Sequence, residues 1–271
     1  MKRAFTRAVG PRLPECQLTH LQRSPIDARK AARQHAAYEA ALRGAGFEIF
    51  RLPELVEDPD AVFVEDTAIL IGEHAVITRP GAASRAGETK STAEGLKNHF
   101  NLHWIERGHL DGGDVLRIGS RLYVGLSTRT NAEGVRSLAE LAAPLGIEVI
   151  EAELRDCLHL KTGATNAGQD ASGTPVLLYH TRSVDPSQFS GIEPIAVDDS
   201  EAPAANCVRA GDHIILPAGN PRTAARLRER RFTVVEVDVS ELQKAESGVT
   251  CMRSVQRMPT GRFTRNTQRQ L

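Results

Sequence analysis

The chain has 271 residues, and its 34 Lys plus Arg balance 34 Asp plus Glu. It can therefore bury a sizeable core, and it carries no net field that would recruit nucleic acid, anionic lipid or a polybasic partner. A hydrophobic fraction of 41% excludes disorder. No apolar run is long enough to span a bilayer or to act as a secretory signal, so the expectation is a cytoplasmic protein with a small-molecule partner, no nucleic acid and no membrane.

In chain order, a single pattern recurs: an apolar strand, a polar loop, an amphipathic helix and a second strand. Residues 5–10, 26–43 and 47–50 make a first, weaker copy. A clear copy follows at 75–81, 84–99 and 102–105. The next runs from a strand at 121–130, through a helix with Val135, Leu138, Leu141, Ala142 and Leu145 on one face, to a strand at 147–150. Residues 175–182 and 194–197 flank a poorer helix, and residues 213–219 and 232–237 flank an Arg-rich one.

Five such units cannot each bury an apolar face alone. They are expected to pack around a common axis as a closed, propeller-like α/β fold. A doubly wound sheet is the competing arrangement, but no GxGxxG or GxxxxGK[ST] loop supports a nucleotide site. Past Met258 the periodicity stops and three Arg appear, which predicts one domain over residues 1–258 and a flexible tail over 259–271.

The chemistry-bearing residues are scattered among these units. Cys16, Cys157, Cys207 and Cys251 form no CxxC pair and read as reduced thiols. Cys251 follows a small-residue turn, Gly248-Val249-Thr250. A lone Cys is more often inert core, and Cys157 and Cys207 read that way. His159 is flanked by Leu158 and Leu160. A satisfied core histidine is the default for it, and a general acid/base the sharper alternative. Of the other histidines only His99 and His103 stand at HxxxH spacing, and they straddle the end of a predicted helix and the start of a strand rather than sharing a helix face, so no metal centre is expected.

In Leu110-Asp111-Gly112-Gly113-Asp114, Asp114 reads as a turn former and the glycines as a tight-turn signal. Glu65 and Asp66 end an apolar run at 61–64. Strand alternation would bury one of the two, and a buried carboxylate needs a cation or several donors. Carboxylate, histidine and thiol together point to attack on a positively charged carbon.

Several of these motifs occur in order between about Leu13 and Met252: Phe63-Val64-Glu65-Asp66, residues 78–85, Leu110-Asp111-Gly112-Gly113-Asp114, residues 125–131, His159-Leu160-Lys161, Ala205-Asn206-Cys207 and Thr250-Cys251. In this the chain resembles the dimethylargininase (dimethylarginine dimethylaminohydrolase) family of the guanidino-group-modifying pentein superfamily. The resemblance implies a five-bladed pseudo-symmetric α/β propeller. It also implies cofactor-free hydrolysis of Nω-methylated arginines, such as asymmetric dimethylarginine and monomethylarginine, to citrulline and a methylamine.

By the same resemblance Cys251 is the nucleophile that forms a covalent thiouronium, His159 the general acid/base, and Asp111 the orienting acid. Asp66 binds guanidinium with Glu65 in support, Arg85 and Arg129 hold the α-carboxylate, and Asp60 with the Leu18 backbone holds the α-amine. The segment at 16–20 matches loosely. Arginine deiminase is the competing enzyme, although that family usually has a longer chain with an inserted helical module. A ribosome anti-association factor of the same fold is the competing non-enzyme, which would want a strong charge patch. Oligomeric state stays open, a homodimer being one option.

Overall fold

The structure is a computed structural model that describes residues 2–211 and 213–257. Each predicted unit supplies two parallel strands of a small sheet, and a third, antiparallel strand outside the predicted unit completes it. Strand β1 (Lys2–Thr6) leads through helix α1 (Ala28–Gly44) to β2 (Phe47–Arg51), which pairs parallel to β1. The second sheet holds β3 (Ala68–Ile71), β4 (His74–Ile77) and β5 (Asn101–Trp104), with α2 (Glu88–Leu96) before β5. The third holds β6 (Val115–Ile118), β7 (Arg121–Gly125) and β8 (Glu148–Ala152), with α3 (Ala132–Ala142) before β8.

Helix α4 (Leu160–Gly163) precedes the fourth sheet, of β9 (Ala164–Gln169), β10 (Pro175–His180) and β11 (Glu193–Val197). The fifth sheet holds β12 (Val208–Ala210), β13 (His213–Pro217) and β14 (Thr233–Val237), with α5 (Pro221–Glu229) before β14. After α6 (Ser240–Gln243), β15 (Ser254–Arg257) returns to pair antiparallel with β1. That pairing closes the ring of a five-bladed α/β propeller. The expected tail at 259–271 lies outside the described residues.

The middle strand of each blade has a buried apolar centre because it is covered on both faces. Phe5, Ile77, Val124, Leu177 and Ile215 have no exposed surface. The helices are placed by local signals. Asp27 caps α1 by accepting the Lys30 N–H at 2.9 Å, and Asn131 caps α3 by accepting the Gly134 N–H at 2.9 Å. Pro221 opens α5, where its missing N–H is not needed.

Two predicted helices come out shorter. The 84–99 segment begins with a 3-10 turn, Ala83–Arg85, before α2, and the poor helix of the fourth unit is the 3-10 turn Pro186–Gln188. Among the described residues no helix is long and apolar enough to cross a membrane.

Candidate active site

In each blade the third strand is entered from a turn or short helix, and these five entries carry the polar residues. They are Val64–Thr67 before β3, Gly112–Asp114 before β6, α4 before β9, Asp199–Ala205 before β12 and residues 247–253 before β15. Hydrogen bonds link them in a closed circuit. Glu65 N–H donates to the Cys251 carbonyl at 3.1 Å, Gly113 N–H to Asp66 Oδ1 at 3.0 Å, and Leu160 N–H to Asp114 Oδ1 at 2.9 Å. Asn206 Nδ2 donates to the Lys161 carbonyl at 2.8 Å, and Asn206 Oδ1 accepts the Thr250 N–H at 2.9 Å. Pseudo-symmetry thus brings residues nearly 190 positions apart to one place.

A narrow cleft opens at this place, lined by Asp60, Asp66, Asp111, His159 and Cys251, with Arg85 and Arg129 in its wall. Seven of the nine residues expected from the resemblance are therefore together. Leu18 packs against the core beneath α1, with its neighbour Gln17 in the cleft wall instead. Glu65 sits behind the wall, where Lys161 Nζ lies 2.6 Å from its Oε1 and Thr250 Oγ1 donates to its Oε2 at 2.7 Å.

Cys251 is held by its surroundings: the Gly248 N–H points at Sγ from 3.4 Å, and Tyr38 of α1 donates to the Val249 carbonyl at 2.6 Å. Burial, then the negative charges of Glu65 and Asp66, push its thiol up to about 12. At neutral pH Cys251 is therefore a neutral thiol.

His159 Nε2 lies 3.1 Å from Asp111 Oδ2, and its Nδ1 lies 3.9 Å from Asp66 Oδ1. Burial opposes its protonation, but the carboxylates of Asp66, Asp114 and Asp111 outweigh burial and raise it to about 9. Asp111 is itself fixed, because its Oδ1 accepts the Gly81 N–H at 2.9 Å and its own N–H donates to Thr130 Oγ1 at 3.1 Å. Burial disfavours the charge on Asp66, yet His159 and the Arg85 guanidinium, donating to Oδ2 at 2.5 Å, hold the carboxyl below its usual range.

Arg85 is largely committed within the protein. Its Nε and Nη2 donate to the Glu88 carboxylate at 3.0 and 2.7 Å, and Nη2 also reaches the Phe63 carbonyl at 2.8 Å. Of the five guanidinium N–H groups, one on Nη1 is left for a ligand. Arg129 is freer, with its Nη2 donating to Thr19 Oγ1 at 3.0 Å and its Nη1 to Gln17 Oε1 at 3.4 Å. Asp60 accepts the Gln17 N–H at 3.2 Å, and burial raises its carboxyl despite Arg85 nearby.

Three sequence expectations change. Glu65 and Asp66 are both buried, because the chain forms the 3-10 turn Val64–Thr67 rather than ending a strand with alternating faces. Asp114 is more than a turn former. Fully buried, it accepts Ser127 Oγ at 2.6 Å and the first N–H of α4, which sets the position of His159. The two glycines do more than turn the chain. A Cβ on Gly112 would stand 2.0 Å from the Glu65 carbonyl, and one on Gly113 would stand 2.7 Å from His159 Nδ1. Only glycine lets this turn lie against the acids and the imidazole.

Sequence reasoning also missed Gln17, Thr19, Asn206 and Glu246. Asn206 stood in a recognised motif without a role. The other three lie in irregular segments where no periodicity marks them.

Asp66, Asp111 and His159 bring ligand atoms within 4.8 Å of one another, a spacing that a metal ion would also satisfy. The expectation of no metal came from the sequence, whose one HxxxH pair, His99 and His103, straddles a predicted helix end. Chemically, the cleft has an acidic end beside a thiol and an imidazolium, and a basic end at Arg129. This polarity matches a molecule with a cation at one end and an anion at the other.

No protein-family model matches the chain. It is similar to an N(G),N(G)-dimethylarginine dimethylaminohydrolase of Streptomyces coelicolor, at 37% identity over 254 residues, covering 93% of this chain and 95% of the relative. Among solved structures it is similar to the Pseudomonas aeruginosa dimethylarginine dimethylaminohydrolase, in a cysteine-to-serine variant complexed with citrulline. The TM-score is 0.88 at 34% identity, with 94% of this chain and 98% of that one covered. A histidine-to-glycine dimethylarginine dimethylaminohydrolase, in adduct with S-methyl-L-thiocitrulline, has a TM-score of 0.87 at 34% identity, with coverage of 94% and 99%.

Proposed function

We propose that this chain, which belongs to the dimethylarginine dimethylaminohydrolase family, hydrolyses Nω-methylated arginines to citrulline and a methylamine. The observation that carries this reading is the grouping of Cys251, His159, Asp66 and Asp111 in one cleft whose far wall holds Arg129. A guanidinium is a poor electrophile, and two carboxylates that fix its plane and sustain its charge make its carbon open to attack. Asp66 and Asp111 suit that part, Arg129 suits the α-carboxylate, and Arg85 contributes one N–H to it. Asp60 and the backbone near Leu18 suit the α-amine. Glu65 acts from behind the wall, on the Cys251 turn.

The arrival of the cation favours the Cys251 thiolate, whose proton leaves to solvent, so the thiol is activated by its own substrate. The thiolate adds to the guanidinium carbon. His159, protonated at neutral pH, gives its proton to the methylated nitrogen, which departs as the neutral amine and leaves a thiouronium on Cys251. The now neutral His159 takes a proton from water as the hydroxide adds to the thiouronium carbon. Collapse expels the thiolate, and the protonated urea loses its proton to the released amine. Charge and atoms balance: a cationic substrate and water become neutral citrulline and an alkylammonium ion.

The reading brings with it a cytoplasmic enzyme whose catalytic unit is residues 1–258. Every residue named comes from one chain, so a homodimer is compatible with it and not required by it. An assay for the ureido product across asymmetric dimethylarginine, monomethylarginine, arginine and agmatine tests it. Turnover of the methylated arginines ahead of arginine is expected; preference for arginine would replace the reading with a deiminase.

A further inference from the structure

Glu246 follows α6 with φ at 56°, in the left-handed region that a residue with a Cβ avoids. The position just past a helix is commonly given to glycine. A glutamate held there calls for a compensating contact, and its carboxylate makes an unusual one. The Thr19 N–H donates to Oε1 at 3.0 Å and to Oε2 at 2.9 Å, the His20 N–H donates to Oε1 at 2.5 Å, and the Leu21 N–H donates to that same oxygen. Three successive amides converging on one anion form a nest.

These amides belong to an irregular segment with no strand or helix to satisfy them. The same segment carries Gln17 and Thr19, whose side chains accept from Arg129, and the Gln17 N–H that donates to Asp60. Glu246 and Gln17 both line the cleft. We infer that Glu246 is a positioning residue that latches residues 17–21 across the cleft mouth. Through that segment it fixes Arg129 and Asp60 for the amino-acid end of the substrate. The substrate's identity rests on the proposed function; the latch does not.

The test compares the full chain with Glu246→Gly and Glu246→Gln by amide hydrogen exchange, thermal unfolding and steady-state kinetics on asymmetric dimethylarginine. Glycine relieves the backbone strain and deletes the carboxylate. Glu246→Gly is therefore expected to melt no lower than the parent, yet to lose about tenfold of the exchange protection at Thr19, His20 and Leu21. Its KM should rise about tenfold with kcat changed far less, and Glu246→Gln should fall between. Unchanged protection of these amides in Glu246→Gly would overturn the latch. So would a joint loss of melting temperature and kcat with KM intact, which would make Glu246 merely structural. Should the parent fail to turn over methylated arginines, the exchange arm still decides the latch while the proposed function fails separately.

Discussion

The five inner turns and the segment at 17–21 border the same cleft, but they are held by different means. The turns are tied to one another through buried groups: Asp66, Asp111 and Asn206 are all at most 3% exposed, and each has partners on a neighbouring blade. The mouth segment lies on exposed backbone and is held by Glu246, with Gln17 and Thr19 meeting Arg129. A hydrogen bond lost in the interior leaves a stranded polar group, whereas one lost at the mouth is replaced by water. On the proposed function, chemistry would be fixed at the floor and recognition left adjustable at the rim. Floor substitutions should lower kcat, and rim substitutions should raise KM.

The largest expected effect is at the floor. Cys251→Ser should lower kcat by at least about 10⁴-fold with the fold intact by circular dichroism, since a hydroxyl is far harder to ionise than a thiol. Cys16→Ser, Cys157→Ser and Cys207→Ser should keep activity. Near-parental kcat in Cys251→Ser would break the comparison at once.

Asp111→Asn keeps the shape while removing a charge that faces His159 and, on the proposed function, the guanidinium. A fall in kcat of about 10²- to 10³-fold is expected, read by citrulline formation at saturating substrate. A pure KM effect would move Asp111 to the rim class.

Stability should depend on pH through the same floor. The folded pKa of His159, about 9, lies above its ordinary 6.5. Its contribution is present in full below pH 6.5 and is lost as pH rises through 9, by no more than about 3 kcal/mol. Cys251, raised from 9.0 to about 12, adds a further loss above pH 9. Urea unfolding at pH 6 and pH 9 should show this decline, and His159→Asn should flatten it between those values. A parent whose stability rises over that range would contradict the charge arrangement described here.

At the rim the effect is smallest. Arg129→Lys keeps the charge but loses the planar fork, so KM for substrates with an α-carboxylate should rise about tenfold with kcat little changed. If agmatine, which lacks that group, is a normal substrate of the parent, the role of Arg129 is wrong.

The blades could be read from sequence because their middle strands are buried on both faces and give apolar runs such as residues 214–217. Their third strands escaped notice because they are short and border the polar turns; β12 has three residues and β3 four, of which two are buried. Cys251 and His159, judged alone, would have passed as core residues, and only their linked motifs raised them. Asp114 looked like any acid beside glycine, since its partner, the start of α4, lies 46 residues on. The rim was the least legible part: Glu246 meets Thr19 across 227 residues of chain, between two segments without periodicity.

The central claim is that Cys251 attacks the guanidinium carbon and His159 then activates water. Intact-protein mass spectrometry of His159→Gly treated with S-methyl-L-thiocitrulline tests it most directly, because a good leaving group needs little protonation while the second step still needs the base. The account predicts a stable adduct that accumulates and maps by peptide digestion to Cys251. Turnover of the analogue at near-parental rate with no adduct, or an adduct on Cys16, Cys157 or Cys207, would contradict it.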